Sequence, residues 1–459
     1  MVIVNEVKII SQRWYRNVTV AFLFVIVYGI ASAVSLNFSE IDGAAFSFIQ
    51  TKLSFVLVSV GISLLLIAFV QAFFRGTKLF KVVPISVAFP LGIYGLVILQ
   101  LLKGADWFRS YGDGGSLATI INESNPFSRW LLGSTALIDL FGLVNHFVLS
   151  ISAQQFVVIA SSACMCISTI AVLRSYGNKS YVLLPLTTPI WIAFSFGYDE
   201  YYPFIVGIFL LVTLWICVKS VEEFSFVRVA LTGVIPALYV GFAPLAVFAL
   251  VKTLRKAKSL KEFAIGIALS AFAYLVAVEV GWPAGHSNYL AVLSDNMNLG
   301  DTRAIHSYEG TALSSKSPFY SLKSVFSFFH ARDMLFNAFF AGGIAGFLVL
   351  AVIFVYVKTK LSGRLPAGLH DHQSNILAMA FVLWNVFYFV FMIPKLGPIA
   401  DIDLFFASNL VFAIWGGVLL EKLFDYRQLS IRARANALSA MVALNGPIVA
   451  GLVIYGLRR

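Results

Sequence analysis

The sequence predicts an all-α, polytopic integral membrane protein with about eleven transmembrane helices and one re-entrant helix pair. The first observation behind that class is composition. Hydrophobic residues make up 59% and charged residues only 12%, where a soluble domain carries roughly 25% charged. The second is spacing: runs of 15 to 25 apolar residues recur along the chain, the length that crosses about 30 Å of hydrocarbon at 1.5 Å per residue. The third is punctuation, since the basic residues behind a formal net charge of +11 stand in short groups between those runs and form no single patch. That distribution suits membrane topology and argues against a nucleic-acid partner.

Taken in order, the expected spans are 18–36, 53–74, 82–102, 155–173, 181–197, 203–218, 262–280, 336–357, 375–393, 404–420 and 438–456. Lys8, Arg13 and Arg16 precede the first run and no small-residue cleavage site follows it, so it reads as a retained helix with a cytoplasmic N-terminus. Cys164, Cys166 and Cys217 fall inside apolar spans, where a thiol behaves as a small hydrophobe.

Two apolar stretches do not fit a simple crossing. The stretch 228–252 has basic flanks on both sides, Lys219 and Arg228 before it and Lys252, Arg255, Lys256, Lys258 and Lys261 after it. With Gly233, Pro236, Gly241 and Pro244 inside, it reads as two half-helices entering and leaving on the cytoplasmic side, against the alternative of one straight crossing. The stretch 131–150 contains Asp139, Asn145 and His146, and reads as an interfacial helix on the outer surface.

On this topology 22 of the 33 Lys and Arg lie inside, with 7 of the 22 Asp and Glu, leaving 11 and 15 outside. The basic bias follows the positive-inside rule, which says little about acids. The outer excess of acids therefore needs another cause, and function is one. The two long loops, 103–154 and 281–335, are both expected outside, and loops beyond about 15 residues are uncommon unless functional.

The candidate chemistry sits in those outer segments. Asp106-Trp-Phe-Arg109 leads into Tyr111-Gly-Asp113-Gly-Gly115, where glycines let a sugar ring or another backbone approach the carboxylate. Asp113 is the leading base; an Asp-Gly turn explains the same string conformationally. Gly197-Tyr-Asp199-Glu200-Tyr-Tyr-Pro203 joins two spans through about five residues, so its acids sit at the membrane surface. They can hold a divalent cation such as Mg or Mn, raise one another's pKa, or be solvated, and the tyrosines read as interfacial belt residues. In His330-Ala-Arg332-Asp333-Met-Leu-Phe-Asn337, helical spacing places His330, Asp333 and Asn337 on one face as the next span begins. A polar stripe there faces protein or water, or simply caps the helix start. Lys395-Leu-Gly-Pro-Ile-Ala-Asp401-Ile-Asp403-Leu-Phe405 bridges the ninth and tenth spans, and a lysine beside paired aspartates suits a phosphate with a cation or a sugar.

These strings and their order resemble the GT-C superfamily of polytopic glycosyltransferases, which take sugars from polyprenyl-phosphate donors outside the cytoplasm. The likeness lies in the helix 82–102 followed by the loop 103–154 with Asp113, in the paired short helices of 228–252, and in the long loop 281–335. The strings at 197–203, 330–337 and 401–405 are similar to motifs of an uncharacterised bacterial branch, although two extra spans precede the module and Ile402 replaces that branch's usual Trp.

The resemblance covers about residues 82–420 and implies three parts: N-terminal helices 1–81, a seven-helix module 82–335, and C-terminal helices 336–459. It also implies a glycosyltransferase of the plasma (inner) membrane with its site facing outward. The implied donor is a polyprenyl-phosphate-linked sugar, and the acceptor a glycan, lipid or protein. Asp113 would be the base, with Asp199 and Glu200 also catalytic; Arg109, Arg129, Arg332 and Lys395 would be cations meeting the phosphate. Asp106, His330, Asp333, Asn337, Asp401 and Asp403 complete the expected substrate site. Two other classes compete. A lipid-linked oligosaccharide flippase or secondary transporter predicts internal repeats and polar residues near the midplane. An O-antigen-type polymerase or ligase differs in helix order and has an arginine-led site.

Overall fold

The computed structural model describes residues 53–74, 76, 78–79, 83–102, 114–124, 134–148, 150–198, 201–219, 223–281, 326, 328–345, 372–391 and 405–456. Within these residues the regular structure is helical, apart from a two-residue antiparallel pairing of β1 (Lys78–Leu79) with β2 (Val83–Pro84). Three helices are long and apolar enough to cross a membrane: those covering Ala153–Tyr176, Leu260–Val280 and Phe406–Asp425. The expected span 18–36 lies outside the described residues, as do most of the loop 281–335 and the segments 103–113 and 125–133 of the loop 103–154.

The uninterrupted apolar runs fold as their sequence suggests, into α1 (Leu53–Phe74), α2 (Ile85–Leu102), α5 (Ala153–Tyr176) and α8 (Tyr202–Val218). Ser152 starts α5 through a capping box: its hydroxyl accepts from the Gln155 amide N–H, and the Gln155 side chain accepts from the Ser152 N–H. Between them lie the short helices α3 (Gly114–Asn122) and α4 (Ser134–Phe147). With 14 residues, α4 is about 21 Å long, too short to cross. Phe141 packs on Phe156 while Leu140, Leu143 and Phe147 are exposed.

The 228–252 stretch is not one straight helix. It divides into α9 (Phe226–Leu238) and α10 (Ala243–Leu254), joined by a single 3-10 turn at Val240–Phe242. Lys252, in the last turn of α10, turns back to α8, where its ammonium donates to the carbonyls of Trp215 (2.6 Å), Ile216 (2.7 Å) and Lys219 (2.5 Å). Those are C-terminal carbonyls without partners inside their own helix, and a cation there also complements the helix dipole. Helix α11 (Leu260–Gly281) packs against α9 where the Thr232 and Ser270 hydroxyls meet at 3.2 Å. A Cβ on Gly233 would stand 2.0 Å from the Ser270 carbonyl oxygen, so this close crossing requires glycine.

Three expected straight spans are broken. The span 181–197 becomes α6 (Ser180–Leu186) and α7 (Pro189–Ser195), because Pro185 and Pro189 interrupt the ladder and Thr188 caps the second helix. The span 336–357 opens with α12 (Phe328–Asn337), which passes into a π-helical turn at Ala338–Gly342 and ends at Gly343 with φ +60°. The span 438–456 becomes α15 (Ile431–Ala443) and α16 (Gly446–Gly456), separated at Leu444–Asn445 ahead of Pro447. Two further helices, α13 (His372–Phe391) and α14 (Phe406–Tyr426), complete the described chain.

The three breaks meet at one side chain. Asn445 accepts from the Ile344 N–H at 2.8 Å through Oδ1 and donates from Nδ2 to the Thr187 carbonyl at 2.8 Å. Backbone groups freed in two broken helices are thus satisfied by an amide seated in the third, as burial away from water demands. The N-terminal α1 packs here too, through Ser63 Oγ donating to the Ala443 carbonyl and Gln71 donating to Asn436 and Ser439. At the opposite end of α14, Glu421 accepts from the Ser180 N–H and from Arg434, which also pairs with Asp425.

Candidate functional site

Most of the expected site lies outside the described residues: Asp106, Arg109, Asp113, Arg129, Asp199, Glu200, Lys395, Asp401 and Asp403. Arg332 and Asp333 lie on α12, described there as backbone only. His330 and Asn337 are described in full, and both are completely buried, seven residues apart on one face of α12. His330 Nε2 lies 2.5 Å from the Val390 carbonyl near the end of α13. A carbonyl only accepts, so that nitrogen carries the proton. Asn337 Oδ1 accepts from Asn409 Nδ2 at 3.1 Å, and the same nitrogen donates to the Phe405 carbonyl at 2.9 Å.

Described residues that border the separate expected motifs therefore converge. Tyr201 and Tyr202 follow Asp199-Glu200, Phe405 and Phe406 follow Asp401-x-Asp403, and α12 carries the third motif. Tyr202 and Phe406 meet with ring centroids 5.3 Å apart, and Phe406 also touches Phe194, Phe209 and Phe242. Gly197, at φ +87°, turns the chain out of α7 ahead of this cluster. The tyrosines expected as an interfacial belt are instead interior residues: Tyr198, Tyr201 and Tyr202 are 1%, 6% and 3% exposed. The reason is tertiary, because the turn between α9 and α10 brings Tyr239 against Tyr201 and Tyr202, while Tyr198 packs on Phe194.

A small pocket of about 40 Å³ opens in this cluster, between the start of α8, the α9–α10 turn, α13 and the start of α14. Its lining includes Tyr202, Phe209, Tyr239, Trp384, Tyr388 and Phe406, with the amide of Asn385 among the rings. Along α8 the lining residues run from Tyr202 to Phe209. Ser408 Oγ donates to the Asn385 carbonyl and ties α13 to α14 beside it. Among the described residues no group of three or more His, Cys, Asp or Glu is placed to hold a metal ion.

Asn385, Asn409, Asn445 and Trp384 were not expected as site or junction residues. A signal existed, since asparagine inside an apolar span is rare and marks a specific interaction. The charges, by contrast, are concentrated in the loops. No family model matches the chain, and neither a curated protein nor a solved structure does.

Proposed function

We propose that the chain is a membrane glycosyltransferase that moves a sugar from a polyprenyl-phosphate donor to an extracytoplasmic glycan, lipid or protein acceptor. The observation that supports this reading is that Tyr202 and Phe406, which border two of the expected motifs, meet ring to ring, while Asn337 of the third is tied through Asn409 to Phe405. A transfer from lipid phosphate needs a base for the acceptor hydroxyl and positive charge near the leaving phosphate. In this reading Asp113 takes the proton, and Arg109, Arg129, Arg332 and Lys395 meet the phosphate. Asp199 and Glu200, with Asp401 and Asp403, hold a divalent cation or orient the acceptor. The site faces the outside of the plasma membrane, with the N-terminus in the cytoplasm.

The test uses purified protein in lipid, a panel of polyprenyl-phosphate sugars, and product detection by mass spectrometry. Asp113→Asn is expected to lower turnover by about 10²–10⁴ while leaving expression and donor binding unchanged. Wild-type turnover in that variant removes Asp113 from the role.

One observation favours a second reading, a transporter of lipid-linked sugar. Broken helices that meet at buried polar residues, as α6–α7, α12 and α15–α16 do at Asn445, are a feature of transporters. Proteoliposomes separate the two: a transporter moves the lipid-linked sugar across the bilayer with its glycosidic bond intact, whereas a transferase releases polyprenyl phosphate and a new glycoside.

A further inference from the structure

Several helix ends gather at one end of the bundle. Lys252 holds the end of α10 against the last carbonyls of α8. Gly266, in the second turn of α11, faces Leu254 and Phe224: a Cβ there would stand 2.6 Å from Leu254 Cδ2 and 3.4 Å from a Phe224 ring carbon. Phe224 lies just ahead of α9, so the entry to α9, the end of α10 and the start of α11 share one place.

That place is strongly basic. The segment 219–263 carries seven Lys and Arg against three Glu. Arg228, Arg255, Lys256, Lys258 and Lys261 are all exposed, and none has an ion-pair partner among the described residues. Glu262 is engaged elsewhere. Its carboxylate accepts from the Lys258 N–H at 2.6 Å, and its own N–H donates to Ser259 Oγ at 3.1 Å, a cap that starts α11. At the far end of α11 the sign reverses, with Glu279 exposed there.

Apolar side chains stand among these cations. Val227 and Leu260, next to Arg228 and Lys261, are 70% and 83% exposed, and Phe226 and Phe263 are exposed as well. Cations interleaved with apolar side chains match a partner that carries negative charge above hydrocarbon. A soluble phosphate supplies only the charge. A zwitterionic lipid supplies the hydrocarbon, but its phosphate is already balanced by its own ammonium. An anionic phospholipid supplies both.

We propose that the surface formed by the entry to α9 and the α10–α11 turn is a binding site for anionic phospholipid, with the cations on the headgroup phosphate and Val227 and Leu260 against the acyl region. The positive-inside rule accounts for cations at this end of the chain, but it applies equally to other basic groups there. Arg174, Lys179 and Arg432 are such a group, also exposed, and near them Glu421 and Asp425 supply acids that pair with Arg434. Nothing in the proposed surface depends on whether the protein transfers or transports a sugar.

The experiment is native mass spectrometry of the full chain released from neutral detergent, with phosphatidylglycerol, phosphatidylcholine and glycerol phosphate added in turn. Wild type is expected to retain phosphatidylglycerol at least about tenfold more tightly than phosphatidylcholine. Lys256→Gln, Lys258→Gln and Lys261→Gln combined should weaken phosphatidylglycerol roughly a hundredfold, at about fivefold for each cation lost near a lipid surface. The same positions changed to Arg should keep it, because the charge remains. Arg174→Gln, Lys179→Gln and Arg432→Gln combined remove as many exposed charges and should change it less than about threefold. All six positions are exposed, so folding is not at stake. Equal retention of the two lipids in wild type overturns the proposal. So does an equal loss in the two triple-Gln variants, which would mean a diffuse charge effect, or glycerol phosphate bound as tightly as phosphatidylglycerol, which would mean a seat for soluble phosphate.

Discussion

The junction around Asn445 and the end of the bundle around Asn409 are built from the same material and finished differently. Each centres on a fully buried asparagine that faces the 338–345 stretch, where helix breaks at two consecutive glycines. At the junction both ends of the amide are used, one on Ile344 and one on Thr187. At the other end Asn409 Nδ2 serves two acceptors, while Oδ1 rests against Gly342 with no hydrogen-bond partner among the described residues. A fully satisfied buried network rigidifies a fold, whereas a partly satisfied one marks where the structure gives up stability for something else. The junction reads as architecture, and the Asn409 end goes with the proposed site.

The largest expected effect is therefore on stability, at Asn445. Asn445→Leu strips the Ile344 N–H and the Thr187 carbonyl of their partner together, each worth about 1–3 kcal/mol when buried and unpaired. Thermal unfolding of the purified protein, followed by loss of the monodisperse peak, is expected to fall steeply, and Asn445→Asp should recover part of the loss because it still accepts from Ile344. Gly343→Ala sharpens the same point. Its Cβ would stand 2.3 Å from Asn445 Oδ1 and 2.7 Å from Pro189 Cδ, on a backbone with φ +60° that alanine resists. Wild-type melting in both variants would show that the breaks do not depend on this amide.

How much of this was legible in the sequence depends on what the signal averages over. Leu53–Phe74 carries no charge and no proline, and the expected run is one unbroken helix over those residues. The stretch 181–197 is also apolar on average, yet Pro185-Leu-Thr-Thr-Pro189 lies inside it, and a mean over the window hides that local instruction. Gly342-Gly343 and Asn445-Gly-Pro447 were hidden in the same way. The split of 228–252 was visible because charge, not hydropathy, exposed it. The burial of Tyr201 and Tyr202 had no local sign, since it depends on Tyr239, some forty residues away, folding back against them. For the candidate site, the helical spacing of His330 and Asn337 was readable, but the partner Asn409 was not, because no pattern within α14 points to a residue 72 positions earlier.

A smaller effect is expected at Lys252, which stands between the two regions in kind. Its ammonium satisfies three carbonyls, as Asn445 satisfies two backbone groups, but it does so at a helix end where water reaches some of them. Lys252→Met keeps the length of the stem and removes the donors, and is expected to cost about 2 kcal/mol. Lys252→Arg should recover little, because a planar fork does not replace a compact ammonium among three converging oxygens. Limited proteolysis in the 219–225 segment reads the effect locally, with faster cleavage expected in the methionine variant. Unchanged cleavage would mean that α10 is held against α8 by its apolar contacts alone.

The smallest change in stability, and the one that most directly tests the distinction between the two regions, belongs to Asn409→Leu. Removing this amide deletes two hydrogen bonds from Nδ2, but it also removes a buried oxygen that had no partner among the described residues. The two effects oppose, and the net loss is expected to be about 1 kcal/mol, well below that of Asn445→Leu. Activity should move the other way. Asn409 is the link between the His330–Asn337 helix and Phe405, the first described residue after Asp401-x-Asp403, so its loss lets the two segments shift relative to each other. A misplacement of about 1 Å can lower a rate by about 10²-fold, and such a loss is expected in turnover with little change in donor affinity. Melting temperature and sugar transfer are to be measured on the same preparations of both variants. Asn445→Leu material that still folds at low temperature should retain most of its transfer rate, while Asn409→Leu should melt nearly as wild type and transfer slowly. If Asn409→Leu instead melts as early as Asn445→Leu and keeps its turnover, both asparagines are architecture, and the site must be sought nearer Asp113.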